Sequence, residues 1–154
     1  MKPAYVHGLG LWTPGYASAG AWCRGISDPE IDAPGVSTVD IDYVNAHGTG
    51  TAFNDAMESR AIRATLGATA DPIVVSTKGY VGHTLGAAGA IEAVFVLESL
   101  RNGWIPASVG AEPLDPGIGL NVTTTTVETD VRLALSNSFA FGGSNVSLVF
   151  GAPG

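Results

Sequence analysis

The apolar and polar positions of the chain change period several times, and each change marks an element. Residues 4–11 (AYVHGLGL) read as a short strand, punctuated by Trp12-Thr13-Pro14-Gly15. Residues 17–25 suggest a short helix and 27–38 a connector. The apolar run Ile41 to Asn45 suits a buried strand; it ends in His47-Gly48-Thr49-Gly50-Thr51, before a helical segment that starts near Asn54-Asp55 and stops at Gly67. Ile73-Val74-Val75-Ser76 repeats the strand signal. A loop, Thr77 to Thr84, follows, and then a long helix from Leu85 to Asn102 closed by Gly103. Arg132 to Ser136 and Asn145 to Phe150 read as two strands joined by a turn around Phe139-Ala140-Phe141-Gly142-Gly143, where glycine geometry is needed. The order β-α-β-α-β-β predicts an α/β domain built around a layered sheet.

The long helix opens on Gly86, Ala87, Ala88, Gly89 and Ala90, which permit close approach of a neighbouring element, and continues through Ile91, Val94, Phe95, Leu97 and Leu100. Its apolar positions wrap most of the way round, so burial on several sides is expected. Glu92 lies inside this helix. An ionised carboxylate there costs several kcal/mol unless paired, which requires a nearby cation or donor, and Lys78 in the preceding loop is the natural candidate.

Composition narrows the class. Of 154 residues, 45% are hydrophobic and 14% charged, and 7 Lys+Arg against 14 Asp+Glu give a net charge of −7. Disorder and nucleic-acid binding are therefore disfavoured, and no basic block occurs. The most apolar window, Ala87 to Leu97, is far shorter than the ~20 residues of a membrane span and contains Glu92. His7, Pro14 and several glycines interrupt the N-terminal apolar stretch, so no signal peptide is read there. Cys23 is the one cysteine; it permits no internal disulfide or multi-cysteine zinc site and fits a reducing, cytoplasmic setting.

Two histidines, His47 and His83, follow predicted strands in glycine-containing loops, where α/β sheets place their sites. Either alone reads as a hydrogen-bonded structural residue. Together, two neutral imidazoles with N–H groups aimed at one oxygen make an oxyanion stabiliser. A metal would need further ligands from Asp55 or His7, and no H-E-x-x-H spacing supports one, so no metal is expected. Neither the dinucleotide fingerprint nor the P-loop occurs: Gly8 and Gly10 are followed next by Gly15. Thr49 and Thr51 stand before a helix N-terminus and suit a phosphate, an amide chain or simple capping. Cys23 reads as a half-buried cysteine with only Arg24 nearby to favour a thiolate. Phe139 and Phe141 suit core filling, or an aromatic gate on a glycine hinge.

Taken in order, Val44 to Thr51, Ser76 to Glu92 and Ser136 to Asn145 closely resemble the three signature segments in the C-terminal half of β-ketoacyl-[acyl-carrier-protein] synthases, the condensing enzymes of fatty-acid and polyketide synthesis. The resemblance covers roughly residues 39–151. It implies a thiolase-like half, in a fold whose complete form has two similar α/β halves and is usually dimeric. His47 and His83 would be the active-site histidines that hold the thioester carbonyl and assist malonyl decarboxylation, and Lys78 and Glu92 the buried pair that orders the site. Thr49 and Thr51 would bond the phosphopantetheine arm, and Phe141 would be the gatekeeper beside the acyl pocket. Residues 1–35 resemble a remnant of the enzyme's start plus a connector, and 36–154 its C-terminal domain. The half that normally carries the nucleophilic cysteine is missing, and Cys23 does not match that residue, so no nucleophile is assigned and condensation by this chain alone is not expected. The implied cofactor is none bound by the chain; phosphopantetheine arrives on the acyl carrier protein. The implied partners are that carrier protein and a ketosynthase-like subunit or missing N-terminal half. Two other roles fit the same residues, a non-catalytic partner similar to chain-length-factor subunits and a small carrier-protein-binding domain.

Overall fold

The computed structural model describes the backbone of residues 5–12 and the whole of residues 36–152. The short helix expected over 17–25, and Cys23 within it, lie outside the described residues. The described chain forms one five-stranded sheet in the order β1-β7-β6-β2-β3 and a separate two-stranded ribbon, β4-β5. The strands are β1 (Tyr5–Trp12), β2 (Tyr43–Asn45), β3 (Ile73–Val75), β4 (Trp104–Ile105), β5 (Val127–Glu128), β6 (Leu133–Phe139) and β7 (Asn145–Gly151). The helices are α1 (Ala52–Leu66), α2 (Lys78–Val81) and α3 (Ala88–Asn102).

β2 lies between β3 and β6 and runs parallel to both, with Tyr43 opposite Ile73 and Ala134. β6 and β7 are an antiparallel hairpin, and β1 adds antiparallel to β7. The Asp42 carboxylate fixes where β6 enters, accepting from the backbone N–H groups of Arg132 at 2.8 Å and Leu133 at 3.0 Å.

Strand side chains alternate between two cores because the pleat has period two. Val44, Val74, Leu135 and Val149 pack with Ile62 and Leu66 of α1. Tyr43, Val75, Ala134 and Phe150 pack with Val96 and Leu100 of α3. The central strands are therefore buried on both faces, which is why they read as continuous apolar runs rather than as alternating ones.

Three features differ from the sequence expectation. The loop over 77–84 contains α2, and the start of the long helix is a separate 3₁₀ turn, Leu85–Ala87. The β4-β5 ribbon was not anticipated: two residues per strand carry too little periodicity to be read. Burial of α3 is one-sided. Ala88, Glu92, Val96, Ser99 and Leu100 face inward, whereas Val94 is 57% exposed. Ala93 and Leu97 on its flanks pack in part against the core, and Phe95 against Tyr80.

Candidate active site

The first loop leaves β2 through Ala46, whose N–H donates to the Val75 carbonyl at 2.8 Å. Gly48 then takes φ +40°. A Cβ there would lie 2.6 Å from Ser76 Cβ, so only glycine fits both the conformation and the space. Ser76 Oγ donates to the Gly48 carbonyl at 2.7 Å and ties this loop to the one after β3. From α1, the Glu58 carboxylate accepts the backbone N–H groups of His47 and Gly48, both at 2.9 Å. His47 is thereby held with its side chain buried, its ring 5.4 Å from that of Phe139.

Lys78 opens α2 at the end of the second loop, and its Nζ forms an ion pair with the carboxylate of Glu92 on α3. Glu92 is 1% exposed; Lys78 supplies the partner that such burial requires. The same Nζ lies 3.3 Å from His47 Nδ1. An ammonium only donates, so this contact assigns Nδ1 as acceptor and leaves the imidazole proton on Nε2. Burial, and next the charge of Lys78, lower the His47 pKa to about 4, which keeps the ring neutral at neutral pH. Burial pushes the Glu92 carboxyl up, and the bond from Lys78 opposes it. Burial also raises the pKa of Glu58, against the bonds donated by Gly48, His47 and Asn137.

His83 lies beyond α2 and is exposed. The backbone N–H of Leu85 donates to its Nδ1 at 3.2 Å, which again leaves the proton on Nε2. Leu85 reaches this position with φ +53°, a left-handed conformation that is strained for leucine. The rings of His47 and His83 stand edge to face at 82°, their centroids 5.3 Å apart. Two imidazoles, each with Nδ1 engaged as an acceptor and Nε2–H left as the donor, thus lie side by side.

A cavity of about 610 Å³ opens beside them, lined in part by Thr49, Thr51, Lys78 and His83. Thr51 is the N-cap residue of α1, yet its hydroxyl bonds Thr49 Oγ1 at 2.9 Å rather than a helix N–H, so simple capping is not what these threonines do. Phe141 is fully exposed on the β6–β7 turn, and Phe139 is the phenylalanine against His47. Among the described residues, no group of three or more His, Cys, Asp or Glu is placed to hold a metal, and no helix is long and apolar enough to cross a membrane.

Sequence reasoning missed Glu58, although a signal existed. Glu58, Ile62 and Leu66 recur every four residues, so the acid stands on the buried stripe of α1. Asn45 was missed as well. It is fully buried, and its amide donates to Thr77 Oγ1 at 3.3 Å and to the Glu92 carbonyl at 3.4 Å, joining three elements under the site.

Fold and site define a lobe with paired imidazoles in the segments that follow two parallel strands, and the comparisons place that lobe in a family. Residues 29–112 match the model of the β-ketoacyl synthase C-terminal domain. The chain is 45% identical over 128 residues to 3-oxoacyl-[acyl-carrier-protein] synthase 1 of Escherichia coli (strain K12), covering 82% of this chain and 30% of that protein. The ishigamide ketosynthase/chain length factor superposes with a TM-score of 0.82 at 36% identity, over 97% of this chain and 38% of that one. A type II PKS acyl-carrier protein in complex with its ketosynthase, bound to the hexaketide, superposes with a TM-score of 0.85 at 28% identity, over 98% and 39%. The chain belongs to the β-ketoacyl synthase family. It spans about a third of the length of the relatives it matches.

Proposed function

We propose that this chain is the two-histidine lobe of a β-ketoacyl-[acyl-carrier-protein] synthase of fatty-acid or polyketide biosynthesis, and that the nucleophilic cysteine comes from outside it. Residues 36–154 form the C-terminal domain in this reading, and residues 1–35 a remnant of the enzyme's start with a connector. The observation that carries the proposal is the pairing of His47 and His83 at 5.3 Å, each with Nδ1 occupied as an acceptor and Nε2–H free to donate. Such a pair is built to hold one oxygen on which charge develops.

The chemistry follows from that geometry. A malonyl thioester on a carrier-protein phosphopantetheine enters past Thr49 and Thr51, and its carbonyl oxygen takes the two Nε2–H bonds. The bond between the carboxylate carbon and the α-carbon breaks, CO₂ leaves, and the electron pair moves onto the thioester as an enolate held by both imidazoles. Lys78, neutralised by Glu92, keeps His47 neutral and in the donating tautomer. In condensation the enolate carbon attacks the carbonyl of an acyl thioester on the cysteine of a ketosynthase-like subunit or N-terminal half; the new carbon–carbon bond forms, the acyl carbon–sulfur bond breaks, the cysteine leaves as a thiolate, and the β-ketoacyl chain stays on the carrier-protein arm. Without that partner the enolate takes a proton and an acetyl thioester results. The carrier protein supplies the arm, and the chain itself needs no bound cofactor.

The test is CO₂ release from malonyl-carrier protein, measured with the chain alone and with a cysteine-bearing ketosynthase subunit added. Release that His83→Ala abolishes is expected. No release in either mixture overturns the proposal and leaves an architectural subunit similar in role to a chain length factor, which would still be recovered with the ketosynthase in a pull-down.

A further inference from the structure

The Glu58 carboxylate is 2% exposed, and none of the ion pairs among the described residues includes it. A buried carboxylate outside the side-chain ion pairs leans on its hydrogen-bond donors. Glu58 has three at good distance: the backbone N–H groups of His47 and Gly48, and Asn137 Nδ2 at 3.1 Å. Asn54 Nδ2 is a fourth, at 3.5 Å. Asn137 is the one donor at good distance that comes from the far side of the site.

Asn137 lies on β6, is 4% exposed, and pairs in register with Ser147 of β7. Ser147 Oγ donates to Asn137 Oδ1 at 2.7 Å. A carboxylate only accepts, so the NH₂ end of the amide faces Glu58; the carbonyl end is turned to Ser147, whose hydroxyl donates to it and steadies that orientation. Glu58 Oε1 then receives Asn137 Nδ2 and the His47 N–H together. A chain of oriented bonds runs from β7 through β6 and α1 to the backbone of the histidine loop, and its last link sits on the residue whose ring bonds Lys78.

We propose that Asn137 is a positioning residue for His47: oriented by Ser147 across the hairpin, it fixes the Glu58 carboxylate that clamps the backbone N–H groups of His47 and Gly48. The hairpin whose turn carries Phe141 thereby sets the position of an imidazole on a different strand. This inference rests on reading His47 as a site residue, but its test needs no substrate and no partner, so it succeeds or fails independently of any catalytic activity.

The experiment is residue-resolved amide hydrogen exchange, with NMR spectra of the His47 ring, on the chain and its variants. Ala46 is the internal reference, since its N–H bonds the Val75 carbonyl and makes no bond to Glu58. In Asn137→Ala, exchange at His47 and Gly48 is expected to rise by about tenfold relative to Ala46, the effect of losing one bond to a charged group, and the His47 ring signals to shift. Ser147→Ala keeps the amide and loses only the bond that steadies its carbonyl end, so a smaller selective rise, about threefold, is expected; it also carries the test if Asn137→Ala does not fold. Val149→Ala removes core contacts from the same hairpin and accelerates exchange without changing the ratio. An unchanged ratio in both Asn137→Ala and Ser147→Ala, or an equal change of ratio in Val149→Ala, overturns the proposal.

Discussion

The two histidine loops begin alike, each leaving a parallel strand of the same sheet, and end in opposite environments. His47 is buried, its backbone clamped by Glu58, its Nδ1 against Lys78 and its ring against Phe139. His83 is exposed and held at Nδ1 by one backbone N–H, from a leucine in a strained conformation. The first imidazole is part of the core's polar framework, and the second is displayed to the cavity. A pair built this way has one buried member fixed by the framework and one exposed member that lines the cavity. Substitutions should therefore separate the loops: those around His47 cost more stability than those around His83.

The largest effect tests the framework itself. Glu92→Gln leaves Lys78 buried beside His47 without its counter-charge, and breaking one side of a buried pair costs about 3–5 kcal/mol. Chemical denaturation should report a loss of that order, whereas Glu98→Gln, on an exposed pair with Arg101, should cost under about 1 kcal/mol. Equal losses would refute the distinction. Gly48→Ala comes next. It combines a left-handed residue with a Cβ placed against Ser76, and a loss of about 2–3 kcal/mol is expected from strain and overpacking.

The third test uses pH. The folded protein holds the His47 proton with a pKa of about 4, against 6.5 in the unfolded chain. Between those values the unfolded chain binds more proton, so His47 costs stability as the pH falls through this window and adds no pH dependence above it. Burial of Glu58 and Glu92 raises their pKa values, so both carboxyls lose stability as the pH rises through their own range. Comparing wild type with His47→Gln in urea at a series of pH values cancels most of that common contribution. The stability difference between the two proteins should narrow by about 3 kcal/mol from pH 7 to pH 4. A constant difference would mean that His47 is not held neutral by its surroundings.

How much of this was legible in the sequence depends on which interaction fixes each residue. β2, β3, α1 and the β6–β7 hairpin were readable because their burial pattern and their closing glycines are local. The Lys78–Glu92 pair was readable because an acid inside an apolar helix has few ways to be satisfied. Asn137 was not identified, since what defines it is a bond to Glu58, 79 residues away in the chain; Glu58 itself stood on the buried stripe of α1, where its spacing was local. Asn45 escaped notice for the same reason: its amide reaches Thr77 and Glu92, 32 and 47 residues away. The one-sided burial of α3 went the other way. Its composition promised contacts on several sides; the described residues bury one stripe fully and its flanks in part, leaving Val94 exposed.

The smallest effect has the opposite sign and probes the exposed loop. Leu85 is 75% exposed, so replacing its side chain forfeits little burial, while its φ of +53° carries a left-handed penalty of about 1–2 kcal/mol that glycine does not incur. Leu85→Gly also loosens the unfolded chain, by about 0.5–1 kcal/mol. The net stability change should therefore be a gain of about 1 kcal/mol or less in thermal denaturation. The same substitution leaves the Leu85 N–H in place but frees the backbone that aims it, so His83 should lose the fixed tautomer its Nδ1 bond imposes. Increased stability together with broadened His83 ring signals in NMR would show that the strain at Leu85 is what orients the displayed imidazole. A destabilised variant with unchanged His83 signals would assign Leu85 to packing alone and erase the contrast between the two loops at its weaker end.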